Sequence, residues 1–242
     1  MIKKDFLEKY ANKNQTNFLN VAREYFQHFF LSTFYKQKGC ENFLFKGGTA
    51  LKLVFGSPRF SEDLDFSGVK NGVIYENILA EVLNDLEKEG FKLELEESKK
   101  TSGGFLSILK VDLFGLNFEI FQEISFRPEK FLSKELALVS SELIPSYRVY
   151  LLAREKLVEE KLTALLTRQK PRDFFDLYYF FRNQELHRFL KLDSEKRKKI
   201  LDFLEKQDKK KINHELKSLL PKSFWLLIKD LPSALKGELQ RL

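Results

Sequence analysis

Phe45-Lys46-Gly47-Gly48-Thr49-Ala50-Leu51 and, past Gly56-Ser57-Pro58, Arg59-Phe60-Ser61-Glu62-Asp63-Leu64-Asp65-Phe66-Ser67 are the most informative residues of the chain. Phe43-Leu44-Phe45 reads as a short buried strand, Gly47-Gly48 breaks it, and Thr49 is placed to cap a short helix through Ala50, Leu51, Leu53 and Val54. Two glycines after a strand let the backbone approach a ligand closely, and the helix N-terminus beyond them offers unpaired N–H groups to phosphate oxygens. Leu64-Asp65-Phe66 reads as a second strand, so the carboxylates of Asp63 and Asp65 share one face while Leu64 and Phe66 turn into the core. Two such acids repel unless a cation lies between them. Mg²⁺ suits the pair, because a hard ion takes carboxylate oxygens and also bridges substrate phosphates. Either motif alone reads as readily as a tight turn or a solvated acidic loop; the two in this order point to phosphoryl or nucleotidyl transfer.

Upstream, Phe18, Val21, Ala22, Tyr25, Phe26, Phe29 and Phe30 recur at helical spacing, which predicts a packing helix from Thr16 toward Gly39. Downstream, a helix is expected over Tyr75 to Glu89, then strands over Phe91 to Glu96, Phe105 to Phe114 and, after Gly115, Asn117 to Phe126. Beyond Pro145 the pattern turns helical: Leu151 to Arg168, Pro171 to Phe181, a basic segment, and Phe224 to Leu242, with Trp225, Phe224 and Leu226 anchoring the last helix. The expected organisation is an α/β half over 1–145 and a helical half over 146–242 that packs on it and completes the active site.

Composition narrows the classes. The 242 residues carry 42 Lys and Arg against 35 Asp and Glu, a charge of +7, and 43% are hydrophobic, as in a soluble globular protein. One cysteine, Cys40, and three histidines exclude a disulfide framework and a Cys-rich zinc site, and fit the cytoplasm. No apolar run reaches the ~20 residues that span a bilayer, and Met1-Ile2-Lys3-Lys4 does not open a secretory signal, so no membrane partner is expected. The 25 Phe are read as core rather than as a base-stacking platform. His28, His187 and His214 have no Ser or Asp at triad spacing. Residues 191–222 hold 11 Lys and Arg against 6 Asp and Glu, or +5 of the chain's +7, on a pattern of amphipathic helix. Such a face is either a solvated surface or a sequence-independent attraction for phosphates.

Lys161 lies on the apolar stripe of its helix, between Leu157 and Leu165 at steps of four. A buried ammonium needs an anion, here Asp173, Asp176 or a nucleotide triphosphate, unless its stem snorkels to water. Asp173 and Asp176, three apart on the next helix, face inward or toward a cleft, either as active-site groups or in a network with Arg168 or Arg172.

The glycine pair, the short helix, Arg59-x-Ser61-x-Asp63-x-Asp65, Glu160-Lys161-Leu162-Thr163-Ala164-Leu165 and Pro171-Arg172-Asp173-Phe174-Phe175-Asp176-Leu177-Tyr178 together resemble the abortive-infection AbiEii/AbiGii nucleotidyltransferase toxins, relatives of the MenT-like tRNA nucleotidyltransferase toxins. The resemblance runs from Phe43 to Phe181. It implies an α+β nucleotidyltransferase fold of the polymerase beta-like kind, a mixed sheet with flanking helices, followed by a C-terminal helical bundle. It also implies an NTP substrate and Mg²⁺, or Mn²⁺ in its place. Asp63 and Asp65 would hold the metal, and Lys46, Gly47, Gly48, Thr49, Arg59, Ser61, Lys161 and Asp176 the nucleotide, with Asp173 in the active site in preference to Asp176. A third carboxylate on a neighbouring strand is implied as metal ligand and base: Glu123, in Ile120-Phe121-Gln122-Glu123-Ile124-Ser125-Phe126-Arg127, is preferred to Asp112.

The function expected from this resemblance is transfer of NMP to an RNA, in the first place the 3′ end of tRNA, by a cytoplasmic toxin with a separately encoded antitoxin. Two alternatives stand beside it: NMP transfer to a protein side chain, and a nucleotide- or RNA-binding module without chemistry. Intact Asp63, Asp65 and Lys161 weigh against the last.

Overall fold

The computed structural model describes residues 1–69, 72–128 and 132–241, with the side chains of 72 and 73 left aside. The chain divides into two compact units, one formed by Met1–Gly56 with Phe60–Ala153 and the other by Ser57–Arg59 with Arg154–Leu242.

The first unit contains α1 (Lys4–Lys13), α2 (Phe18–Phe34), β1 (Phe43–Lys46), α3 (Gly47–Leu53), β2 (Leu64–Gly68), α4 (Gly72–Lys88), β3 (Lys92–Thr101), β4 (Gly104–Leu113), β5 (Leu116–Phe126), β6 (Lys134–Val139) and β7 (Tyr147–Leu152). Its seven strands order as β3-β4-β5-β2-β1-β7-β6. β2 runs parallel to β5 and β1 parallel to β7, while the remaining neighbours are antiparallel. A three-stranded β3-β4-β5 meander and the antiparallel pairs β1-β2 and β6-β7 are thus joined through two parallel seams. The helix expected from Thr16 starts at Phe18, where the Asn17 side chain accepts the Asn20 N–H at 2.8 Å.

The phenylalanines fill the core, as their helical spacing implies. Phe26, Phe30 and Phe34 of α2 are fully buried, and Phe34 meets Phe66 at 5.2 Å and Phe43 at 6.1 Å between ring centres. Tyr75 of α4 continues the cluster to Phe105 at 5.1 Å. All of these lie on one side of the sheet, so alternation sends Asp65 and Glu123 to the other.

β6 and β7 occupy residues that sequence periodicity left unassigned or joined to the following helix. β6 carries apolar residues on both faces: Ala137 and Val139 are buried, but Leu136 and Leu138 are 59% and 63% exposed, which erases the alternation that marks a strand. β7 runs straight into the next helix, so its apolar residues blur with that helix's stripe.

The second unit is helical: α5 (Arg154–Arg168), α6 (Pro171–Arg182), α7 (Gln184–His187), α8 (Ser194–Glu205), α9 (Lys209–Leu219) and α10 (Trp225–Gln240). Phe175, Ile212, Leu216, Leu220, Ile228 and Leu231 form its core, with Phe224 and Trp225 packed against it. Leu226, expected to share the anchoring, is instead 78% exposed, one step round the helix from Trp225. Leu242 lies outside the described residues. In the basic segment Ile200, Leu204, Ile212, Leu216 and Leu219 turn inward, leaving Lys198, Lys199 and Lys209 to Lys211 exposed.

One buried polar group gives the first unit a pH response. His28 on α2 is 2% exposed, its Nδ1 2.9 Å from the Tyr147 hydroxyl and its Nε2 3.9 Å from Glu24. Burial, and then the charge of Lys52, push its pKa from 6.5 down to about 4. Between those values the unfolded chain takes a proton that the native state refuses, so this contribution to stability is full above pH ~6.5 and is lost as pH falls toward ~4, about 3 kcal/mol at full extent. Glu24 works in the opposite direction, since burial raises its pKa despite Lys52. His28→Gln is expected to flatten the decline in urea midpoint between pH 6.5 and 4; an unchanged profile would remove His28 as its cause.

Candidate active site

β1 and β2 form the hairpin that presents the glycine pair to the acids. Their antiparallel register sets Lys46 opposite Asp65, and the parallel register of β2 with β5 sets Asp65 opposite Glu123. Lys46, Asp65 and Glu123 therefore form one row across three adjacent strands, each step about 5 Å, on the side away from the aromatic core. Glu123 is exposed, Asp65 half-buried and Lys46 buried. Two residues further along the same face, Ser67 pairs with Ser125, whose hydroxyl lies 3.4 Å from Lys46 Nζ. The Ser67 hydroxyl is buried without a hydrogen-bond partner among the described residues.

Gly47 sits against this row with φ +81°, in the left-handed region where glycine alone is unstrained. A Cβ placed there would lie 1.9 Å from Asp65 Oδ2 and 2.7 Å from Asp65 Cγ. The glycine is thus required by the backbone angle and by the carboxylate it touches. Gly56 makes the natural control, with φ +75° and nothing within 4 Å of an added Cβ. Gly47→Ala is expected to lower transfer at least a hundredfold and to cost about 2–3 kcal/mol, against about 1 kcal/mol and little loss of transfer for Gly56→Ala. Urea titration alongside an NTP-turnover assay separates the two; equal effects at both glycines would leave φ strain as the whole explanation.

Asp63 precedes β2, and its position depends on its backbone. The Thr49 hydroxyl donates to the Asp63 carbonyl oxygen, while Gln27 Nε2 donates to the carbonyls of Ser61 at 3.0 Å and Glu62 at 3.2 Å. Thr49 is consequently not the cap of α3. That helix starts two residues earlier, at Gly47, and Thr49 lies fully buried within its first turn. Sequence reading did not single out Gln27, although an amide between Phe26 and His28 on a buried helix face is the sort of polar exception that marks a tether.

Asp112 is placed elsewhere. It lies at the β4–β5 turn, where Oδ1 accepts the Gly115 N–H at 2.9 Å and Asn117 is its cross-strand partner. Asn117 and Glu123 are six residues apart on β5, roughly 20 Å of strand. Among the described residues no three His, Cys, Asp or Glu side chains are grouped closely enough to hold a metal on their own. Mg²⁺ commonly needs only one or two carboxylates once substrate phosphates complete its shell. Asp65, a hard oxygen donor beside a glycine with no room for a side chain and opposite Glu123 in register, fits such a shared ion.

In the second unit, Asp176 is the anion that Lys161 requires. It is 1% exposed and takes Arg59 as a fork, Nε to Oδ1 at 2.8 Å and Nη2 to Oδ2 at 2.9 Å, with Lys161 Nζ on Oδ2 at 2.8 Å. Burial raises its pKa, but the charges of Arg59 and then Lys161, with their hydrogen bonds, outweigh this and hold it at about 2. Asp173, expected nearer the chemistry, forms a fork with Arg168 at 2.7 and 2.9 Å and accepts the Lys170 N–H at the start of α6.

A profile of the nucleotidyl transferase AbiEii toxin family, of type IV toxin–antitoxin systems, matches residues 30–234. Solved structures share the fold, among them the following two. MenT4, a nucleotidyltransferase toxin from Mycobacterium tuberculosis H37Rv, superposes with a TM-score of 0.66 at 17% identity over 100% of this chain and 91% of its own. JHP933 from Helicobacter pylori gives 0.55 at 20% identity over 93% and 95%. No curated protein matches the chain. Among the described residues no helix is long and apolar enough to cross a membrane.

Proposed function

The chain belongs to the nucleotidyl transferase AbiEii toxin family, and from that premise we propose that it transfers NMP from an NTP to the 3′ end of an RNA, tRNA in the first place. Support comes from the row Lys46–Asp65–Glu123 across β1, β2 and β5, with Gly47 pressed against Asp65. Asp63 and Asp65 would hold Mg²⁺ together with the substrate's phosphates, and Mg²⁺ bound there would neutralise charge on the transferring phosphoryl group.

The chain's own residues account for the remaining steps. The backbone of Gly47 and Gly48 lets the triphosphate approach Asp65, and Lys46 carries its positive charge from β1 across the same face to the Ser125 hydroxyl on β5. Ser61 stands in the segment that Gln27 fixes ahead of Asp63. Glu123, on the β5 side, takes the proton of the attacking hydroxyl. The hydroxyl oxygen bonds to the α-phosphorus, the bond from that phosphorus to the β-bridging oxygen breaks, and pyrophosphate leaves. Arg59 and Lys161 are held by Asp176 as one charged cluster inside the second unit. The exposed lysines of α8 and α9 offer sequence-independent attraction to an RNA backbone. Toxicity would follow from blocking the RNA's 3′ end, with the antitoxin implied by the family as the opposing partner.

The test incubates the protein with Mg²⁺, total cellular RNA and each NTP labelled at the α-phosphate, and resolves RNA and polypeptide on gels. Label in a tRNA-sized band is expected. Label in polypeptide alone would replace RNA with a protein acceptor, and no label in any mixture would leave a binding module.

A further inference from the structure

The Asp65 row has two sides. Lys46 and Gly47 lie on one, and on the other β5, β4 and β3 continue the same face past Glu123. A cavity of about 630 Å³ opens there, entirely within the first unit, with Asp63 on its rim and Phe121 in its wall. Phe121 is two residues from Glu123 on β5, on the same face and about 7 Å away, and its ring is half-buried.

Five carboxylates stand against three cations in the lining. The cations are largely matched already, Arg23 with Glu62 at 2.6 Å and Lys110 with Glu96 at 2.9 Å. A phosphate would meet surplus negative charge. A flat, neutral ring bearing N–H donors would meet an aromatic face and carboxylate acceptors, and Arg23 Nε, buried and without a hydrogen-bond partner among the described residues, adds a donor.

We propose that this cavity holds the terminal nucleobase of the acceptor, stacked on Phe121 and read through an exocyclic amino group by Glu119, two residues along the same face of β5. The inference rests on the nucleotidyl-transfer reading, because Glu123 must reach the acceptor's hydroxyl and the acceptor must therefore lie on the β5 side of Asp65. Carboxylates accept from exocyclic amines, as they do from the cytosine amino group, so acceptors ending in adenosine, cytidine or guanosine are favoured over uridine.

The experiment uses the full chain and one RNA prepared with each of the four 3′-terminal nucleosides and with an abasic terminal ribose. Initial rates are measured for wild type, Phe121→Ala and Phe121→Tyr. Loss of one stacked base raises KM for the RNA by roughly ten- to a hundredfold. The abasic terminus is expected to show this in wild type and no further increase in Phe121→Ala, while Phe121→Tyr restores the wild-type value and KM for the NTP stays constant throughout. Transfer that ignores the terminal base overturns the cavity assignment and leaves the nucleotidyl-transfer reading standing. A rise in KM for the NTP in Phe121→Ala gives the cavity to the incoming nucleotide and also overturns it. Absence of transfer to any RNA by wild type overturns both. Should Phe121→Ala unfold by circular dichroism, the terminal-base comparison in wild type decides alone.

Discussion

Asp65→Ala is expected to reduce nucleotidyl transfer by about a thousandfold or more while the protein stays folded. The activity loss follows from position: Asp65 is the middle of the row, between the Lys46 side assigned to the triphosphate and the Glu123 side assigned to the attacking hydroxyl. Removing one group that stabilises developing charge in a preorganised site costs about 10² to 10³ in rate, and losing a shared metal ligand adds to this. The stability change is expected to stay within about 1 kcal/mol, because Asp65 is only half-buried and stands between Lys46 and Glu123 in register, so that lost attraction to one and relieved repulsion from the other offset. Pyrophosphate release measures the first expectation and circular dichroism the second. A variant that unfolds would make Asp65 a structural residue, and one that transfers normally would move the site elsewhere.

Asp176→Ala is expected to cost about 3–5 kcal/mol of stability, since it leaves Arg59, 2% exposed, and Lys161 without the carboxylate that both bind. Asp176→Asn keeps the shape but not the charge, and should fall between the variant and wild type. The pH dependence has a definite sign. With its pKa held at about 2 in place of 3.8, Asp176 gives its full contribution above pH ~4 and loses it as pH falls toward 2. Both variants should therefore lose that acid leg from their denaturation profiles. An Asp176→Ala protein as stable as wild type at pH 7 would mean that Arg59 and Lys161 find other anions.

The two stabilising arrangements differ in how far the sequence discloses them. Gly47 is legible because a local rule decides it, since glycine permits the left-handed angle, whereas Asp63 stands ahead of β2 and strand alternation does not place its carboxylate. Lys161 is legible as a cation in need of an anion, since an ammonium on an apolar stripe carries that requirement by itself. Its partner is not, because Asp173 and Asp176 lie three apart on one helix and only packing gives Arg168 to the first and Lys161 to the second.

Long-range pairing hides the rest. Glu123 stands beside Asp65 through a parallel seam between strands with a helix and a hairpin between them in sequence, and no local pattern sets that register. Asp112, the less favoured candidate, lies beside the turn at Gly115, which takes its carboxylate to the far end of the hairpin. Phe121 was hidden among 25 phenylalanines that are mostly core, and only the strand's alternation shows it on the open face.

Parallel reactions with one NTP labelled at the α-phosphate or at the γ-phosphate test the central claim most directly. Nucleotidyl transfer predicts that α-label becomes covalently bound to the acceptor in wild type and not in Asp65→Ala, while γ-label appears only in pyrophosphate. Label from the γ-phosphate on the acceptor, or α-label transfer undiminished in Asp65→Ala, would contradict it.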